Sequence, residues 1–160
     1  MSLAVAVIEA LRIKSLKLAT AESCTGGMVA AAITDVAGSS DVFERGFVTY
    51  SNLSKSEMLG IMPALIEIHG AVSAQVAKAM AEGALLFSKA QISIAITGVA
   101  GPGGGSAEKP VGLVHFAAAS HGRSTVHSEM RFGDIGRFEV RAMARDFVLQ
   151  LLLDQLKALP

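Results

Sequence analysis

The run Ala21-Glu22-Ser23-Cys24-Thr25-Gly26-Gly27 sets two hydroxyls, a thiol and two glycines between an apolar strand-like stretch and an apolar helix-like stretch. A turn of that kind puts side-chain nucleophiles beside the free backbone N–H groups of a helix N-terminus, which can hold an anion or the oxyanion of an acyl transfer. Alone, the same residues need do no more than cap a helix. A second segment, Thr97-Gly98-Val99-Ala100-Gly101-Pro102-Gly103-Gly104-Gly105, also follows an apolar run. In a layered sheet the two turns can open at the same edge onto one crevice. Candidate binding positions are therefore Glu22, Thr25, Gly26 and Gly27 in the first turn, and Thr97, Gly98, Gly101, Gly103 and Gly104 in the second. Neither turn ends in Gly-Lys-Ser/Thr as a Walker loop does, and the glycines of the second do not have Rossmann spacing. Both absences argue against ATP hydrolysis and NAD redox chemistry.

A serine nucleophile needs a proton acceptor, because a helix dipole supplies roughly 1–2 kcal/mol and does not ionise a hydroxyl. The four histidines, His69, His115, His121 and His127, lie far along the chain, and none has a carboxylate beside it in a recognisable triad order. Lys55 is an alternative base: a lysine desolvated in a crevice loses enough pKa to accept a serine proton. Its bland reading is a solvent-facing lysine on a capped helix. Cys24 is intrinsically the better nucleophile but has no histidine near it, and its bland reading is a small buried hydrophobe. Arg45, Arg137 and Arg141 are candidates to neutralise a phosphate, and by spacing alone each is equally a surface arginine.

The elements that must position these groups follow from periodicity. Leu3, Val7, Ile8 and Leu11 predict an opening helix; Leu16 to Thr20 predicts a strand ending at the Ser23 turn. Met28, Val29, Ala32, Ile33 and Val36 make the next helical stripe, with Gly38 as a left-handed C-cap. Phe43 to Ser51 reads as a strand with a bulge at Gly46. Ser54 and Glu57 fit a capping box, placing Lys55 in the first turn of a short helix that ends before Pro63. Ser73 caps a helix carrying Val76, Met80, Gly83, Ala84 and Phe87, and Ile92, Ile94 and Ile96 form a strand. Val111 to Ala119 and Thr125 to Phe132 predict a hairpin turning at His121-Gly122, and Phe138 to Leu156 a long closing helix. This order indicates an α/β layered fold with a mixed β-sheet covered by helices, its chemistry at strand ends.

Composition is consistent with that fold. At 160 residues, 51% hydrophobic and 18% charged, the chain is expected to be a single domain over residues 1–160 with a core of its own. A formal net charge of zero gives no global footprint for nucleic acid and favours a small-molecule substrate. The lone Cys24 excludes an internal disulfide and a cysteine-cluster zinc site. No apolar run is long enough to cross a bilayer and no signal-peptide order opens the chain, so a cytoplasmic location is expected. Small α/β enzymes are often symmetric, which makes a homo-oligomer the expectation.

Ala21–Gly27, Phe43-Glu44-Arg45-Gly46-Phe47-Val48-Thr49-Tyr50-Ser51-Asn52, Gly70-Ala71-Val72-Ser73, Thr97–Gly104 and Lys109-Pro110-Val111-Gly112 resemble, in this order, the CinA C-terminal domain family. The resemblance covers nearly the whole chain. It implies an α/β fold and, as in family members that act alone, amide hydrolysis of nicotinamide mononucleotide to nicotinate mononucleotide and ammonia within pyridine nucleotide salvage. Neither metal nor cofactor is implied. Because the chain begins at the first helix, the N-terminal domain of full-length CinA proteins is expected to be absent. The family's serine falls on Ser23, its lysine on Lys55 and its tyrosine, near the same site, on Tyr50. The resemblance thus casts Ser23 as nucleophile, Lys55 as base and Tyr50 as oxyanion donor or proton relay. It leaves open which glycine turn holds the phosphate and which the oxyanion. Two departures stand out: His115 where the family often has an aromatic residue, and Gly133-Asp134-Ile135-Gly136 before Arg137 in place of a plain Gly-Asp-Arg. The competing expectation is a non-catalytic mononucleotide-binding or regulatory module.

Overall fold

The computed structural model describes residues 1–160. Its centre is a five-stranded sheet in the order β2-β1-β3-β4-β5, with β1 at Leu18–Glu22, β2 at Phe43–Val48, β3 at Ile92–Gly98, β4 at Leu113–Ser120 and β5 at Val126–Arg131. Strands β2, β1 and β3 run parallel, while β4 and β5 form an antiparallel hairpin against β3. The helices are α1 (Leu3–Lys14), α2 (Met28–Thr34), α3 (Asn52–Leu59), α4 (Pro63–His69), α5 (Ala74–Leu86) and α6 (Arg137–Ala158). The sheet is mixed and helices cover both faces, as the element order predicts. No helix is long and apolar enough to cross a membrane.

Side chains alternate across each strand, and the two faces differ in size. Leu18, Ile92, Ile94, Ile96, Val114 and Phe116 pack with α1, α2 and α6. On the opposite face Ala19, Ala21, Ala95, Ala117 and Ala119 pack with Val76, Met80 and Ala84 of α5. The alanine face lets α5 lie close on the sheet. Gly83 extends this tight fit to α3, since a Cβ there would run into the Leu59 carbonyl.

Local departures from the sequence reading have identifiable causes. Helix α2 stops at Thr34 with right-handed Asp35 as its cap, and Gly38, at φ 81°, leads instead into a 3-10 turn at Ser39–Asp41. The register irregularity between β1 and β2 falls between Leu18 and Ala19, not at Gly46. Gly46 is small because a Cβ there would sit 2.8 Å from Thr20 Oγ1. The capping box is made by Ser51 and Ser54, not Ser54 and Glu57: Ser54 N–H donates to Ser51 Oγ at 3.0 Å, and Ser51 N–H to Ser54 Oγ at 3.1 Å. Pro63, read as a stop, begins α4 at its first position, where a missing N–H costs nothing.

Candidate active site

The carboxyl ends of the three parallel strands emerge at one edge, and each feeds a different part of the site. Beyond the strand ends the ladder continues by one bond on each side: Ser23 N–H donates to Ile96 O at 3.0 Å and Thr49 N–H to Glu22 O at 2.9 Å. Ser23 and Thr49 are therefore placed by sheet register and not by a free loop. The Ser51–Ser54 cap then starts α3 so that Lys55 turns inward, leaving it 1% exposed. Its Nζ lies 3.1 Å from Ser23 Oγ and donates to Thr49 O at 3.0 Å and Tyr50 O at 3.3 Å.

Three oxygens surround Nζ: an ammonium gives an N–H to each, and a neutral amine gives two to the carbonyls and turns its lone pair to the serine hydroxyl. Burial pushes the Lys55 pKa below its ordinary value, opposed only by the charge of Cys24 where that thiol is ionised. Cys24 itself is buried, and desolvation pushes its thiol up to about 11, which leaves it protonated near neutral pH. Of the two neighbours, it is the hydroxyl that the buried amine meets.

Glu22 takes a different place from the one the turn suggested. It is fully buried, and its carboxylate accepts from Thr25 Oγ1 at 2.7 Å, Val29 N–H at 2.9 Å and Ala30 N–H at 3.1 Å. The anion site at the start of α2 is thus filled by the chain's own carboxylate. Gly26 and Gly27, at φ 57° and 105°, give the turn its left-handed path.

A cavity of about 540 Å³ opens over Ser23 and Lys55. Among the sequence candidates, Ser23, Lys55, Tyr50, Thr97, Gly98, Gly101, Gly103, Gly104 and Arg137 line it; Glu22, Thr25, Gly26, Gly27, Arg45 and Arg141 do not. Thr97 Oγ1 donates to Ala71 O at 2.8 Å and fixes the opposite wall. The glycines of the second loop have separate reasons to be glycine. A Cβ at Gly98 would press on Val114 and the Leu113 carbonyl, and one at Gly101 would meet Val111 Cγ1 at 2.5 Å. Gly103 has nothing within 4 Å, and Gly104 only Val99 Cγ1 at 3.9 Å, so these two leave open space over the cavity.

Arg137, the first residue of α6, donates to Gly101 O and to Tyr50 Oη, each at 2.7 Å. It ties the glycine loop to Tyr50 and leaves the phenol O–H free to donate. Arg45 is held by Glu44 at 2.7 and 2.8 Å and by Phe87 O at 3.1 Å. Arg141 faces the Ser23 turn from behind, bonded to the carbonyls of Cys24 and Thr25. His115 and His127 pair with each other at 2.8 Å outside the cavity, and burial lowers the pKa of both. No group of three or more His, Cys, Asp or Glu side chains gathers to hold a metal ion.

The sequence reading did not single out Asn52, Ala71, Val72, Val99 and Ala100, which also line the cavity. Asn52 lies three residues before Lys55 on α3, a spacing that shares a helix face. Ala71 and Val72 stand inside the Gly70–Ser73 segment already noted. In chemical terms the arrangement is a hydroxyl facing a buried amine under an open cavity, with a phenol O–H lining it.

The profile of the CinA C-terminal domain matches residues 1–156. The chain is 49% identical over 156 residues to the nicotinamide-nucleotide amidohydrolase PncC of Escherichia coli (strain K12), covering 97% of this chain and 93% of that protein. It is 50% identical over 153 residues to a CinA-like protein of Akkermansia muciniphila, covering 96% of this chain but 37% of that longer protein. Among solved structures, the competence/damage inducible protein CihA from Agrobacterium tumefaciens superposes with a TM-score of 0.93 at 50% identity, over 97% of this chain and 93% of that one. A CinA superfamily protein from Klebsiella pneumoniae also gives 0.93, at 36% identity over 98% and 97%. This chain belongs to the CinA C-terminal domain family.

Proposed function

We propose that this chain is a nicotinamide-nucleotide amidohydrolase that converts nicotinamide mononucleotide to nicotinate mononucleotide and ammonia, with Ser23 as nucleophile and Lys55 as base. The observation that carries the chemistry is the buried amine 3.1 Å from Ser23 Oγ. The choice of substrate is supported by kinship with PncC along nearly the full length of both chains. A cavity of about 540 Å³ is also of the size that small-molecule sites have.

In this reading Ser23 Oγ attacks the carboxamide carbon while its proton passes to Lys55 Nζ. The C=O π electrons move onto oxygen, then return as the C–N bond breaks, and Lys55 gives the proton to departing ammonia. Water hydrolyses the acyl-enzyme with Lys55 again as base. The pyridinium charge makes the amide carbon more electrophilic, which lowers the demand on a serine without a full triad. Tyr50, steadied by Arg137, donates toward the developing charge. The open backbone at Gly103 and Gly104 and the guanidinium of Arg137 receive the 5′-phosphate.

The deciding measurement is ammonia release from nicotinamide mononucleotide by the full chain. Ser23→Ala is expected to abolish turnover with the fold retained, and Cys24→Ala to keep most of it. Tight nucleotide binding without ammonia would favour the non-catalytic module; an active Ser23→Ala with a dead Cys24→Ala would move the nucleophile to Cys24.

A further inference from the structure

Arg141 sits one turn inside α6, half-buried. Its Nε donates to Cys24 O at 3.0 Å and its Nη2 to Thr25 O at 3.3 Å, and it makes no ion pair with any carboxylate within 4.0 Å. A partly buried cation without an acidic partner, spent on two successive carbonyls directly after the nucleophile, needs a reason. The next bond in the turn supplies one: Gly26 N–H donates to Ser23 O at 3.0 Å. All three carbonyls of Ser23, Cys24 and Thr25 are therefore pinned.

In a trans peptide the N–H points opposite to the C=O. Fixing Ser23 O toward the inside of the turn directs the Cys24 N–H outward. Cys24 lines the cavity, and its N–H donates to no other residue, leaning only on its own thiol. The obvious alternative donors, Val29 N–H and Ala30 N–H at the start of α2, are already taken by Glu22. A guanidinium on the following carbonyls also polarises the peptide groups of the turn.

We propose that Arg141 is a positioning residue: it locks the Cys24 and Thr25 peptide units so that Ser23 Oγ and the Cys24 N–H face the substrate carbonyl together, and the Cys24 N–H receives the oxyanion. This rests on the Ser23 acyl-transfer reading above. As the Ser23 Oγ–C bond forms and the hydroxyl proton moves to Lys55, the carbonyl π electrons collect on oxygen, where that N–H meets them. The role differs from the phosphate contact that the sequence allowed for Arg141, because the side chain does not line the cavity and two of its donors are committed behind the turn.

The test compares Arg141→Lys, Arg141→Gln and Arg141→Ala in the full chain. Three quantities are read: steady-state ammonia release, the affinity for nicotinate mononucleotide by titration, and the rate at which a fluorophosphonate probe labels Ser23. The expected result for Arg141→Gln is a fall in kcat of about a hundredfold, a labelling rate that falls with it, and KM and product affinity within about twofold. Guanidinium ion added to Arg141→Ala should restore at least tenfold of the lost rate. A tenfold rise in KM with kcat preserved would make Arg141 a phosphate ligand and overturn the proposal, as would unchanged kcat and labelling. Loss of the fold in all three variants would overturn it too, since the role would then be structural. Should the wild-type chain release no ammonia, the amidase reading fails on its own, while Ser23 labelling still decides the role of Arg141.

Discussion

Lys55 shows how little of a site's chemistry resides in one residue's identity. Nothing at position 55 announces burial; the side chain is desolvated because Ser51 and Ser54 start α3 where they do and because Thr49 O and Tyr50 O wait for its N–H groups. Lys55→Arg is therefore expected to be nearly as inactive as Lys55→Ala, since a guanidinium stays protonated and cannot accept the serine proton. The rate should rise with pH through the lowered Lys55 pKa and level off above it, which a pH–rate profile checks. Stability follows the same group. Unfolding returns Lys55 to its ordinary value of 10.5, so the unfolded chain binds the proton more tightly. The burial penalty is full below the folded pKa and fades as pH rises toward the unfolded one. Lys55→Met should lose turnover and melt at a higher temperature at neutral pH, the gap closing at high pH; a lower melting temperature at pH 7 would contradict this.

At the scale of elements, the glycines separate packing from binding. A helix-interior Gly→Ala change ordinarily stabilises by about 1 kcal/mol. Gly83→Ala should do the reverse, because the added methyl would press on the Leu59 carbonyl at the end of α3. Both melting temperature and kcat should fall, since α3 carries Lys55. Gly103→Ala has nothing to strike within the protein. It should leave the melting curve nearly unchanged and weaken nucleotide binding about tenfold, or 1.4 kcal/mol, by titration; unchanged affinity would put the loop outside the binding region. The strands and long helices were legible because apolar periodicity survives any tertiary context. Helix α4 and the α3 cap were not: Pro63 marks a helix stop or a helix start equally well until its neighbours are known, and three serines within residues 51–56 offer more than one cap.

For the molecule as a whole, the parallel half of the sheet carries the candidate site and the antiparallel hairpin completes the cores. Two turns and one lysine were legible as candidates for chemistry, but which of them meet depends on the order β2-β1-β3, and no local pattern encodes strand order. Arg45 and Arg141 illustrate the point. They looked equivalent as phosphate partners; one is bound to Glu44 on the edge strand, the other braces the turn from α6. The same topology governs how the protein acquires its activity. Ser23 is held by Ile96 from β3, far along the chain, and faces Lys55 only after β2 has joined β1. Pairings between distant segments form late, since their loops must close first. During refolding from denaturant, helical circular dichroism should recover before catalysis. Turnover should return together with hydrogen-exchange protection of the β1 and β3 amides. A partly assembled chain would then be inert toward amides, and an early active species, seen while the β1 and β3 amides still exchange, would show Ser23 and Lys55 meeting without their sheet.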